Sequence, residues 1–351
     1  MSNRDKNIKN EKKIIAILGP TAAGKTKLAV KLAYQFNGEI VSADSRQVYK
    51  WMDIGTGKDL KDYCLKLQIQ NYKSQINSKY KIQNSKTTNK KLDSNTEIKK
   101  LKTIKIPYHL IDVVSPKTEF NLAKYQKLAY KAIDDILARE KIPFLTGGSG
   151  LYLQAVVDGY NLSDIKPDKK LRAELEKLNA VQLFALLRKI DFDSANNLNK
   201  SDKKNSRRLI RYIESAKQSK IQRFKKDRTP KPKYNSLIIG LTLPKNELNK
   251  KIDQRMKKWF EQEDMLGEIK NLRSKGVSWK RLNEFGLEYR LTSDYLRGKI
   301  NFQEMKKKLS RDLKKFAKKQ MTWFRRWEKQ GAKIHWIKNQ KEAKKLIKNF
   351  I

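Results

Sequence analysis

Thiols and imidazoles are nearly absent from this chain. Cys64 is its only cysteine, which excludes an intrachain disulfide and a cysteine-built metal site. His109 and His335 are the only histidines, too few for a histidine-based metal centre. No apolar run approaches the roughly 18 residues that a membrane span needs. The charged, Asn-rich first thirteen residues contain no apolar segment of signal-peptide type, so cytoplasmic residence is expected. Acidic residues are scarce: 37 Asp and Glu stand against 81 Lys and Arg, a formal net charge of +44. A field of that sign attracts polyanions, nucleic acid above all. The accompanying abundance of Ile and Asn is also what an AT-rich genome produces without selection for binding. Apolar residues, at 38% of 351 positions, suffice for one sizeable α/β domain carrying a smaller inserted or appended one.

The rest of the chain is organised around Ile14 to Tyr49. Ile14 to Leu18 is a short apolar run of the buried parallel-strand kind. It leads into Gly19-Pro20-Thr21-Ala22-Ala23-Gly24-Lys25-Thr26, which is G-x-x-x-x-G-K-[ST] without a mismatch. Glycines let backbone N–H groups turn around phosphate oxygens, the next helix points its positive end at them, Lys25 adds a cation and Thr26 a hydroxyl for Mg²⁺. Leu28, Ala29, Leu32, Ala33 and Phe36 predict that helix, with Asn37-Gly38 as its stop. The motif identifies a phosphorylated ligand without naming it.

Further along, Ile69 to Lys105 holds ten lysines and two acids among Asn, Ser, Thr and Gln, and reads as a low-complexity basic insertion. Pro107 to Val114 reads as a strand, Asn121 to Glu140 as a helix, and Ile142 to Thr146 as a buried strand entering Gly147-Gly148-Ser149-Gly150-Leu151-Tyr152 and a helix through Val157. Strands alternating with helices predict a parallel sheet flanked by helices, of the P-loop NTPase-like α/β class, with ligands at the carboxyl ends of the strands. Gly19–Thr26, Ala43–Tyr49 and Gly147–Tyr152 should converge there. Residues 1–158 are read as the first part of the core, 159–203 as a small helical insertion domain, and 204–351 as core continuation with basic C-terminal helices. In that last part the pattern predicts a strand over Ser236–Leu243, a helix over Glu247–Lys275 and a long helix over Gln303–Lys329. The aromatic stripe of the long helix, including Phe316, Trp323, Phe324 and Trp327, reads as core before RNA-stacking surface.

These motifs carry a resemblance. GPTAAGKT, DSRQVY (44–49), GTGKD (55–59), HLIDVVSP (109–116), LTGGSGLY (145–152), RRLIRYIE (207–214) and AKKQMTWFRRW (317–327) stand in the order found in tRNA dimethylallyltransferases. The chain resembles that family almost throughout, outside residues 69–105. It departs by Ser149 where a threonine is usual, Tyr108 for a histidine, Lys251 for the first of two arginines, and FGLEYR at 285–290. The resemblance implies Mg²⁺-assisted transfer of a dimethylallyl group from dimethylallyl diphosphate to N6 of the adenosine 3′ of the tRNA anticodon; a monomer is expected. It implies that Gly24, Lys25 and Thr26 hold the leaving diphosphate, with Arg255 closing the charge clamp. Thr21 and Ser149 supply hydroxyls near the bridging oxygen or the base.

The exocyclic amine is a weak nucleophile and needs a carboxylate to take its proton. On residue chemistry alone Asp44 is equally such a base or a carboxylate that holds Mg²⁺ or caps a loop; the resemblance favours the base. Gln47 has an amide suited to an adenine edge, Ser45 and Arg46 flank it, and Arg207, Arg208 and Arg211 are placed to grip an anticodon loop. Three other readings stay open: a P-loop kinase using ATP, a prenyltransferase acting on free adenine nucleotides, and an RNA-binding protein regulated by nucleotide.

Overall fold

The computed structural model describes residues 12–68, 101–162, 168–221 and 231–351. They form two compact units, one of residues 1–159 with 232–351 and one of residues 160–231. The first is built on six parallel strands in the order β5-β2-β6-β1-β7-β8: β1 Lys13–Leu18, β2 Gly38–Ser42, β5 Tyr108–His109, β6 Ile142–Gly147, β7 Asn235–Leu241 and β8 Ile334–Ile337. The P-loop class with a parallel sheet, expected from the alternating pattern, is the fold observed. β1 lies at the centre, and its side chains alternate between two cores. Ile14, Ala16 and Leu18 face one, with α2 (Leu122–Ala138) and the end of α12 (Phe302–Lys329). Ile15 and Ile17 face the other, with α1 (Lys25–Gln35) and α13 (Gln340–Phe350). Burial on both faces is why the strand reads as a continuous apolar run.

A third core joins the loop after β2 to a helical lobe. Val48, Tyr49 and Met52 pack with residues of α8 (Lys245–Glu261), α9 (Met265–Ser274), α10 (Trp279–Glu284), α11 (Leu287–Leu296) and the first half of α12. An Asn301/Glu304 capping box starts α12. On α12, Phe324 and Trp327 are buried, as the core reading of the stripe requires, whereas Phe316 and Trp323 are half-buried.

Four expectations are corrected. The helix predicted over Glu247–Lys275 is two helices, because Asp264 adopts φ +49° and its carboxylate caps α9 at the Gly267 amide, ending the run. Of Pro107–Val114 only Tyr108–His109 is strand; Leu110 and Asp112 take positive φ, and the chain leaves the sheet to bond Gln47 and Val48. The end of the low-complexity stretch is ordered: β4 Leu101–Lys105 pairs antiparallel with β3 Cys64–Gln68. Residues 69–100 of that expected insertion lie outside the described residues. Finally, the helical unit extends beyond the expected boundary at 203, since α7 (Ser206–Ile221) packs Leu209, Ile210, Ile213 and Ala216 against Leu183, Leu187 and Ala195.

Candidate active site

The three expected loops meet at the carboxyl ends of β1, β2 and β6. They line a cleft of about 830 Å³ together with residues 53–63 and the inner faces of α8 and α12. The P-loop turns sharply off β1. Gly19 lies so close to β7 that a Cβ there would sit 2.6 Å from the Leu241 carbonyl, and Gly24 enters α1 with a left-handed φ of +89°. Thr21, Ala22, Gly24, Lys25 and Thr26 line the cleft, with Gly19, Pro20 and Ala23 forming the turn behind them. The Lys25 ammonium donates to the Pro20 carbonyl at 2.7 Å. Burial lowers its pKa to about 8, Asp44 opposes that shift and Arg255 adds to it.

Asp44 stands directly after β2. Its Oδ1 accepts the backbone N–H groups of Arg46, at 2.9 Å, and Gln47, at 3.4 Å, which fixes the carboxylate. Among the described residues no donor bonds its Oδ2. Ser149 accepts the Ser45 N–H at 3.0 Å and lies 3.4 Å from the Ser45 hydroxyl, tying the loop after β6 to the loop after β2. On the opposite wall Arg255 is desolvated and donates to Thr21 Oγ1 at 3.2 Å. Asp44, Lys25, Thr21 and Arg255 are therefore gathered in one cleft, and Ser149 supports its floor.

Several expected RNA contacts already have protein partners, although Arg46 and Gln47 line the cleft. Gln47 is engaged at both ends of its amide: Oε1 accepts from the Ser42 hydroxyl at 3.0 Å, and Nε2 donates to the carbonyls of Thr56 and Gly57 at 3.5 and 3.3 Å. Arg46 is turned inward, paired with buried Glu288 and lying 5.4 Å from the Phe316 ring. In the helical unit, Arg208 pairs with Asp202 and Arg211 lies 3.6 Å from Glu214, while Arg207 is exposed. Of the three, Arg207 alone has no acidic partner among the described residues.

Two residues at the heart of the site went unread. Gln320 of α12 accepts the Thr21 N–H at 2.8 Å and donates to the Gly148 carbonyl at 2.8 Å, bridging the P-loop and the loop after β6. It lies in the quoted AKKQMTWFRRW segment, and its burial on an apolar stripe was the available signal. Glu268 of α9 accepts three successive backbone N–H groups, Asp53 at 2.7 Å, Ile54 at 2.6 Å and Gly55 at 3.2 Å, and the Tyr289 hydroxyl at 2.7 Å. Nothing local in sequence announces that cage. Lys58 within the same loop is fully buried between Asp53, at 2.8 Å, and Asp112, at 2.6 Å, so the lysine of GTGKD is structural.

A phosphate loop carrying a desolvated lysine, faced by a desolvated arginine and flanked by an anchored carboxylate, places the fold and cleft in the class of P-loop enzymes. The family model described as IPP transferase matches residues 90–327, and that described as isopentenyl transferase matches residues 12–77. The chain belongs to the IPP transferase family, and it is a prenyl-transferring transferase. The "tRNA dimethylallyltransferase 2" of Trichlorobacter lovleyi is 37% identical over 341 residues, covering 96% of this chain and 97% of the relative. That of Shewanella sediminis is 39% identical over 324 residues, 92% of each chain. The full-length tRNA isopentenylpyrophosphate transferase of Bacillus halodurans superposes with a TM-score of 0.60 at 32% identity, covering 97% of this chain and 95% of that one.

Proposed function

We propose that the cleft breaks the C–O bond between the dimethylallyl group and diphosphate and joins the freed carbon to N6 of the adenosine 3′ of the anticodon in tRNA. The single observation that supports this reading is the anchored Asp44 beside Lys25. The proton lost by the amine goes to Asp44, whose Oδ1 is held by two amides while Oδ2 has no donor among the described residues. The negative charge that grows on the departing diphosphate meets Lys25 and Arg255, which are already desolvated and need no reorganisation.

The donor set fits Mg²⁺ in a limited way. Thr26 presents a hydroxyl at the start of α1, and the described residues hold no group of three or more His, Cys, Asp or Glu suited to a metal. Thr26 would be the protein group that holds such an ion. When bound it supplies charge neutralisation to the diphosphate. An adenosine in a single-stranded anticodon loop is extruded at small cost, which favours that loop as the acceptor. The same reading takes the enzyme to be a cytoplasmic monomer; no described helix is long and apolar enough to cross a membrane.

Mass spectrometry of nucleosides from tRNA incubated with the protein and dimethylallyl diphosphate tests the proposal. An adenosine heavier by one dimethylallyl group, mapped 3′ of the anticodon, is the expected product. Label transfer from ATP without any prenylated nucleoside would replace this reading by a kinase.

A further inference from the structure

Trp51 lies at the tip of the segment that runs from Asp44 to the Glu268-held loop. It adopts φ +64°, a left-handed backbone that a bulky residue enters only with strain. Its surroundings fix it there: Tyr49 and Met52 are buried on either side, and the Lys50 amide bonds the Val114 carbonyl at 2.9 Å. The indole is consequently held at the surface, 43% exposed. The Lys275 ammonium lies 5.0 Å from the ring, and the Lys117 ammonium lies beside Gly276, 3.0 Å from where a Cβ would stand. Lys50, Lys117 and Lys275 are all exposed, and among the described residues none has an acidic partner.

A tip with nothing to meet is served at least as well by glycine, which takes this φ freely. An exposed aromatic face surrounded by unpaired cations has instead the two components of a single-stranded nucleic-acid platform, a stacking surface for a base and charges for its phosphates. Asp53 and Ile54, the next residues but one and two, line the cleft, so the platform belongs to its rim. We propose that Trp51 stacks on an unpaired nucleobase of the RNA acceptor outside the cleft, and that Lys50, Lys117 and Lys275 neutralise the neighbouring phosphates. Within the aromatic stripe of α12, Phe324 and Trp327 are committed to the core.

The inference rests on the RNA-acceptor reading above, and its test separates the two. Full-length wild type, Trp51→Ala, Trp51→Phe and Trp51→Gly are titrated with an unmodified tRNA transcript and with a fully paired RNA of similar length. Loss of one stacked base should weaken tRNA binding by Trp51→Ala roughly five- to 150-fold. Trp51→Phe should stay close to wild type, and binding of the paired RNA should not change. The donor KM, and kcat at saturating tRNA, should be unaltered. Trp51→Gly relieves the backbone strain, so it should melt no lower than Trp51→Ala while losing the same affinity, which keeps the test decisive if the alanine variant folds poorly. Lys117→Ala and Lys275→Ala should each flatten the log–log salt dependence by about 0.7 to 0.9. Unchanged tRNA affinity in Trp51→Ala and Trp51→Gly, or an equal loss in Trp51→Phe, would overturn the platform. A wild-type protein that prenylates no tRNA would remove the parent reading and the platform with it.

Discussion

Gly57 and Arg255 compete for one space: the Arg255 guanidinium occupies the position a side chain at residue 57 would need, and Gly57 holds φ +61°. The bare backbone of the GTGKD loop is thus what lets Arg255 reach Thr21. Gly57→Ala should push the guanidinium away from its 3.2 Å contact with Thr21 Oγ1. Loss of one charge-assisted hydrogen bond corresponds to about a 10- to 100-fold fall in kcat/KM for the prenyl donor. The left-handed alanine should also lower stability by about 1 kcal/mol. Steady-state kinetics with a parallel urea titration checks both, and a donor kcat/KM within twofold of wild type would contradict the steric argument.

The Lys25 pKa of about 8 predicts a pH profile. The ammonium is the form that holds diphosphate, so kcat/KM for the donor should be level below pH 8 and fall about tenfold per unit above it. Lys25→Arg should abolish that alkaline limb, because a guanidinium stays charged. Since the ordinary lysine value is 10.5, the unfolded chain binds the extra proton between about pH 8 and 10.5, and the contribution of this group to stability should rise across that window. A wild-type profile flat to pH 10 would show that Lys25 is not desolvated.

Glu268 holds the loop over the cleft through four donors, which Glu268→Gln would confront with an amide that accepts at one end only. Leaving a buried N–H unpaired costs about 1–3 kcal/mol. Amides of residues 53–55 should exchange with deuterium faster, and the donor KM should rise. Tyr289→Phe removes one donor of the four and should cost less. Equal effects of the two changes would mean that the hydroxyl, and not the backbone cage, carries the contact.

Asp44→Asn keeps the shape and the amide contacts at Oδ1 while removing the base. Turnover should fall by roughly 10²–10⁴ with binding of both substrates little changed. Single-turnover transfer at saturating donor and tRNA across a Mg²⁺ series is the measurement. Recovery near the wild-type rate at high Mg²⁺ would move Asp44 from proton acceptor to metal support.

The amino-acid sequence by itself determined the phosphate loop, the central strands β1, β2, β6 and β7, the helix after the loop and the long α12. Each is set by neighbours within a few residues: the turn glycines, the apolar runs and the three- and four-residue spacing of one helix face. It also carried the family and, because parallel strands deliver their following loops to one edge, the gathering of Asp44, Lys25 and Thr21, whereas Arg255, inside α8, came only with the resemblance. Only the tertiary structure decided what the polar side chains do there. Thr21 meets Gln320 across 299 positions and Asp53 meets Glu268 across 215, pairings with no local trace. Gln47 and Arg46 were read as RNA contacts from their chemistry, yet buried partners claim them, since a polar group inside must be satisfied by whatever lies next to it. The break of the 247–275 helix at Asp264 follows the same rule: the cap satisfies the first amides of α9 and sets Glu268 against the loop, a geometry that helical periodicity cannot express.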